Sequence, residues 1–249
     1  MKPLIAKIKP ASGFSRVVYT VFNILLPFVV FALVRTTFVQ LALVIILLSK
    51  WRMFAVRPRF WPANIRANAV DIIVGVSLLI FMQHSGTQLL QLMWTFVYIG
   101  WLVLLKPLSA STMVSVQALI AMLFGLMAVF VAWGDGRSDV LVLLTGLICY
   151  LSARHFFDSF DEPYAKLLSY IWGYFGAALV WVLSHWLLYY SVVAQPVLLL
   201  ISLGLGLATL YYLDHHDRLS ANIRQQVVFI MAAIVLIVVI FSDWGDKIV

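Results

Sequence analysis

Apolar residues run along this chain in long blocks separated by short polar breaks. A helix needs about 20 mostly apolar residues to cross a bilayer core. Nine blocks approach or reach that length: 14–34, 36–50, 68–84, 87–105, 112–133, 139–155, 166–190, 195–213 and 225–242. The second is short and is separated from the first only by Arg35-Thr36-Thr37. It is either a thin span or half of a hairpin that does not fully cross. The pattern predicts an all-helical polytopic membrane bundle of about nine transmembrane helices, forming a single domain over 1–249.

Composition supports lipid as the main solvent. The chain is 64% hydrophobic and 11% charged, with a mean hydropathy of +1.03. Soluble domains carry about 25% charged residues, and a soluble globule could not hide this much apolar surface. The basic segment 1–16 precedes an apolar run from Val17 to Val34. That run is longer than a signal-peptide core and has no small-x-small cleavage site after it, so it reads as a retained first span. Cys149 is the only cysteine, which excludes an intramolecular disulfide and a multi-cysteine metal cluster.

The formal charge of +7 comes with 17 Lys and Arg residues that fall between the apolar blocks. Topology explains them, and nucleic acid is not an expected partner. With the N-terminus cytoplasmic and the C-terminus outside, the inner segments hold Lys2, Lys7, Lys9, Arg16, Lys50, Arg52, Arg57, Arg59, Arg66, Lys106, Arg154, Lys166, Arg218 and Arg224. The outer segments hold only Arg35, Arg137 and Lys247. This is the distribution of a protein of the cell (inner) membrane oriented by positive charge. Segment 50–67 alternates cations with aromatics. It is expected to lie along the cytoplasmic headgroups, with Arg52, Arg57, Arg59 and Arg66 binding anionic lipid.

Candidate chemistry gathers on the same side. "RHFFDSFDEPYAK" at 154–166 and "DHHD" at 214–217 both begin at the inner end of a span. His155, Asp158, Glu162, His215 and His216 form a candidate set for a divalent metal, because imidazole with carboxylate suits zinc, iron or manganese. Neighbouring His215 and His216 diverge by about 100° on a helix, so only one can face a shared ion. The alternative is a wet, solvated loop. His84 and His185 fall toward the outer half; they could share a polar pocket with Gln40 or Gln83, but are expected as neutral histidines bonded to a neighbouring helix. No serine-nucleophile elbow is present. No acid, Lys or Arg sits clearly at mid-membrane, which counts against an ion-coupled transporter.

Nine spans, an inner N-terminus and polar loops after spans two and six resemble the layout of intramembrane aromatic prenyltransferases. The resemblance implies magnesium and a prenyl diphosphate held by aspartate-rich loops. Here the second loop offers Asp158 to Glu162 with Lys166 beyond, but the first offers only Asn64, Asn68 and the single Asp71. One carboxylate there does not assemble the usual magnesium cluster.

Three functions are therefore expected in order. The first is a non-enzymatic membrane component with a transport or lipid-handling role. The second is a metal-dependent enzyme acting on a lipid phosphate or prenyl diphosphate at the cytoplasmic face. The third is a structural or assembly subunit. Partners are membrane lipids with anionic headgroups, and a second copy or another membrane protein. No organic cofactor is expected; a divalent metal is the one cofactor the candidate set would take.

Overall fold

A computed structural model describes residues 13–134, 136–187 and 193–245. The predicted charges Lys2, Lys7, Lys9 and Lys247, and the side chain of Arg16, lie outside the described residues. Ten α-helices follow one another: α1 Gly13–Arg35, α2 Val39–Leu48, α3 Trp61–Ala67, α4 Ala69–His84, α5 Gln88–Gly100, α6 Ser111–Trp133, α7 Ser138–Asp158, α8 Ala165–Leu183, α9 Gln195–His215 and α10 Ala221–Ile240. A π-helical turn, Trp101–Leu105, prolongs α5. The described residues form no strand beyond an isolated bridge between Leu187 and Trp244.

Among the described residues, seven helices are long and apolar enough to cross a membrane: α1, α5 with its π turn, α6, α7, α8, α9 and α10. An eighth crossing is made if the Pro58–Ala67 segment and α4, bent by 62° at Asn68, count as one broken span. The predicted block 36–50 is the ten-residue α2, about 15 Å long at 1.5 Å per residue, half of a hydrocarbon core. Thr37, in the left-handed region at φ 66°, turns the chain between α1 and α2. Local capping moves several predicted boundaries. The Thr87 hydroxyl accepts from Leu90 N–H to start α5, and the Ser220 hydroxyl accepts from Ile223 N–H to start α10 four residues before its apolar block. These side chains satisfy N–H groups that a helix start leaves unpaired.

α4 is the central element. Ten of its 16 residues are buried, and it packs against α1, α2, α5, α6 and α7. Val74, Leu78 and Met82 of α4 form one core with Val30, Ile46 and Tyr98. A second core joins Met122 and Leu126 of α6 to Cys149 of α7, Val180 of α8 and Leu200 of α9. α6 thus bridges the halves. α10 buries no residue and rests mainly on α9. Large apolar side chains such as Phe22, Leu143, Phe229 and Ile240 lie on the outside, the surface expected of a bundle solvated by lipid.

Small residues set the tight crossings. A Cβ on Gly173 would come within 2.9 Å of the Gly146 carbonyl oxygen, so α7 and α8 meet backbone to backbone. Gly206 makes room instead for the side chain of Met231 of α10.

Side-chain contacts sort the helix termini into two ends. One carries Lys50, Asp71, Lys106, Gln117, His155, Glu162 and Tyr211, linked by ion pairs and hydrogen bonds; it is called the basic end below. The other joins α8 to the segment after α10 through the Gly245 N–H and the Trp186 carbonyl, 2.8 Å apart.

Candidate functional site

The two predicted polar segments do meet at the basic end. Phe160 lies edge-on to His215 with ring centroids 5.1 Å apart, and the Tyr211 hydroxyl donates to Glu162 Oε2 at 2.5 Å. Four of the five candidate ligands are nonetheless hydrogen-bonded or ion-paired within the protein, and His215 makes ring contacts. His155 Nε2 is 3.2 Å from Gln117 Oε1. The Gln117 amide nitrogen already donates to the Leu105 and Leu108 carbonyls at 2.7 and 2.9 Å. Its oxygen must therefore accept, which assigns the proton to His155 Nε2. Asp158 pairs with Arg154 one turn back, at 2.9 Å. Glu162 accepts from Tyr211 and from the Tyr164 N–H, and these bonds hold its carboxyl below the usual range. His215 stacks on Tyr211, and His216 Nδ1 donates to the Tyr212 carbonyl of its own helix. Among the described residues no group of three or more His, Cys, Asp or Glu side chains is arranged to hold a metal ion.

The outer histidines differ from expectation in their partners. His84 and His185 donate through Nδ1 to the Ile80 and Trp181 carbonyls, each four residues back on its own helix. An i−4 carbonyl is always within reach of such a side chain, whereas a neighbouring helix is not. The arginines expected to meet lipid, Arg52, Arg57, Arg59 and Arg66, are all exposed, and Arg59 lies over the Phe60 ring. Phe54 packs edge-on against Trp61, whose indole donates to the Val56 carbonyl. This folds segment 50–67 into short turns rather than an extended loop.

Beside the aromatic cluster lies a cleft of about 330 Å³ between α6, α7, α8 and α9. Met122, Phe156, Trp172, Ala208 and Tyr211 are among its walls, which are almost wholly apolar. The Ser152 hydroxyl, 3% exposed, belongs to the wall and has no hydrogen-bond partner among the described residues. Tyr211 connects the cleft to Glu162, so an apolar chamber has polar groups at the basic end.

A third constellation escaped the sequence reading. Asp71 is buried, and both Lys50 and Lys106 place their ammonium groups on its Oδ2, Lys106 at 2.6 Å. The Trp101 indole donates to Oδ1 at 2.9 Å. Local structure explains the convergence. Asp71 is in the first turn of α4, where the helix dipole favours a carboxylate. Lys50 follows the end of α2. Trp101 and Lys106 are five apart, about 140° around an α-helix at 100° per residue. The π turn, closed by Lys106 N–H to the Trp101 carbonyl at 2.9 Å, brings both toward Asp71. One turn along α4, a Cβ on Gly75 would lie 2.8 Å from the buried Tyr98 hydroxyl. The sequence signal was a lone aspartate opening an apolar block, with two other blocks ending in lysine. Asp71 is thus neutralised by lysines, and the aspartate that a prenyltransferase layout would offer to magnesium is already engaged.

Two cations on one anion make the substitutions unequal. Asp71→Asn leaves two ammonium groups without a counter-charge and should cost about 3–5 kcal/mol. Lys106→Gln leaves a one-to-one pair and should cost under about 1 kcal/mol, because no buried charge is left uncompensated, which is what makes a broken pair expensive. Unfolding in neutral detergent measures both; equal losses would contradict the pairing.

No protein-family model matches this chain, and neither does any curated protein or solved structure, so its function is read from the geometry alone.

Proposed function

We propose that this chain is a multi-pass membrane protein that handles lipid, taking an acyl or prenyl chain into the cleft between α6, α7, α8 and α9. The observation that carries this reading is the cleft itself. It offers about 330 Å³ of space bounded by apolar side chains, in the range of ligand pockets. Its wall includes one buried, unpartnered hydroxyl, Ser152, suited to a single polar group on an otherwise apolar ligand. Tyr211 and Glu162 give the chamber a polar rim, where a headgroup would remain hydrated.

Nine crossings belong to this proposal, with the short α2 completing a hairpin and the N-terminus cytoplasmic. The charge asymmetry supports that orientation: Lys50, Arg59, Lys106 and Arg218 fall on the side it makes cytoplasmic. The basic end then faces the cytoplasm, and Arg52, Arg57, Arg59 and Arg66 meet anionic headgroups. Transport of the bound lipid, rather than its chemical conversion, fits the engagement of the candidate metal ligands by protein partners. A metal-dependent lipid-phosphate enzyme is a second reading, favoured by the nearness of Glu162 and His215 to the cleft mouth.

Protein purified in mild detergent should retain lipid detectable by mass spectrometry. Ala208→Trp, which puts an indole into the cleft, should remove most of it, while Leu205→Trp on an exposed position of α9 should not. Lipid retained equally by all three proteins would sink the reading. The orientation has its own test. In a Cys149→Ser background, cysteine at Arg59 or Ser220 should resist a membrane-impermeant thiol reagent in intact cells, while cysteine at Ser138 reacts. Labelling at Arg59 with none at Ser138 would reverse it.

A further inference from the structure

We propose that Lys106, with Lys50 behind it, is a specific binding site for the phosphate of an anionic membrane lipid. The site is separate from the cleft and from the exposed arginines Arg52, Arg57, Arg59 and Arg66. It begins with charge. Asp71 neutralises one of the two lysines, so the cluster keeps a surplus positive charge. A charge held out of water is costly unless a counter-ion meets it.

Hydrogen bonding points the same way. An ammonium has three N–H donors, and both lysines meet Asp71 Oδ2 as ion pairs. The other oxygen of Asp71 is taken by Trp101. Among the described residues no further acceptor lies on either ammonium. The remaining donors suit an acceptor-rich anion, and a phosphodiester supplies several oxygens.

Access distinguishes the two lysines. The Lys50 side chain is 6% exposed and that of Lys106 is 26% exposed. Lys106 is therefore the contact, and Lys50 adds charge from behind. The surroundings select lipid over free phosphate. Leu104 and Leu108 flank Lys106 in sequence and are 67% and 44% exposed. Acyl chains below a bound phosphate would cover both leucines, whereas an inorganic ion would leave them bare.

The site also differs physically from the arginine segment. Arg52, Arg57, Arg59 and Arg66 are exposed, so their attraction for anionic lipid is screened by salt. Lys106 is mostly buried, and its contact should persist at high salt.

The test uses the full-length protein in bilayer discs of phosphatidylcholine, with or without phosphatidylglycerol, at high salt. Phosphatidylglycerol should raise the thermal midpoint of the wild type. Lys106→Gln retains the Lys50–Asp71 pair and should fold, keeping its midpoint in pure phosphatidylcholine but losing the rise. Arg57→Gln/Arg59→Gln should keep the rise. Millimolar inorganic phosphate in phosphatidylcholine discs should produce none. A full rise in Lys106→Gln overturns the proposal. Loss of the rise in the double arginine variant assigns it to diffuse surface attraction and overturns it too. A rise produced by inorganic phosphate alone overturns the lipid assignment. If Lys106→Gln does not fold, native mass spectrometry of the wild type decides: phosphatidylglycerol retained no better than phosphatidylcholine overturns the proposal.

Discussion

At the basic end, one carboxylate holds two lysines and an indole. The Asp71 side chain ties the end of α2, the start of α4 and the π turn after α5 together. The polar chain does not stop there. Leu105 and Leu108 lie on either side of Lys106, where the helix ends and Pro107 brings no N–H; the Leu105 carbonyl receives one turn bond, from Leu108 N–H at 3.1 Å, and each carbonyl has room for a further donor. The Gln117 amide of α6 supplies both donors, and its oxygen reaches His155 of α7. Five helices are thus linked through polar groups at one level. Lys50, Asp71 and Gln117 are buried, and a buried polar group without a partner is costly. The linkage therefore constrains which helix ends can lie side by side.

The remainder of the bundle is held by shape. Apolar side chains gain little from leaving lipid for protein, so close packing through small residues takes over. Gly146 against Gly173 lets α7 and α8 touch through backbone. Where the packing opens, between α6, α7, α8 and α9, the space is the cleft. Cleft and polar belt are neighbours in the structure. Ser115 and Ala118, which flank Gln117 on α6, both line the cleft. A ligand in the cleft would press on the helix that carries the belt's central amide.

Much of the architecture was legible in the apolar blocks, because each block contains a helix and lipid demands length above all. The sharing of one end by segments 154–166 and 214–217 was legible for the same reason: both follow spans that end on the same side. What those segments do there was not legible. His216 bonds its own helix, and His215 stacks on Tyr211. Those choices depend on rotamers and neighbours rather than on spacing. The break at Asn68 and the π turn at Trp101–Leu105 were equally hidden. Both serve a pairing between residues 21, 30 and 35 positions from Asp71, and no local pattern encodes such distances. The sequence showed Asp71, Lys50 and Lys106 as three separate charges; only the packing makes them a single site.

The central claim is that Asp71 needs one lysine and accepts two. A double-mutant cycle between Lys50→Met and Lys106→Gln, read as unfolding free energy in neutral detergent, tests it most directly. Each single variant should stay within about 1 kcal/mol of the wild type, while the double variant strands a buried carboxylate and should lose about 3–5 kcal/mol. Additive effects, with the double variant no worse than the sum of the singles, would contradict the account.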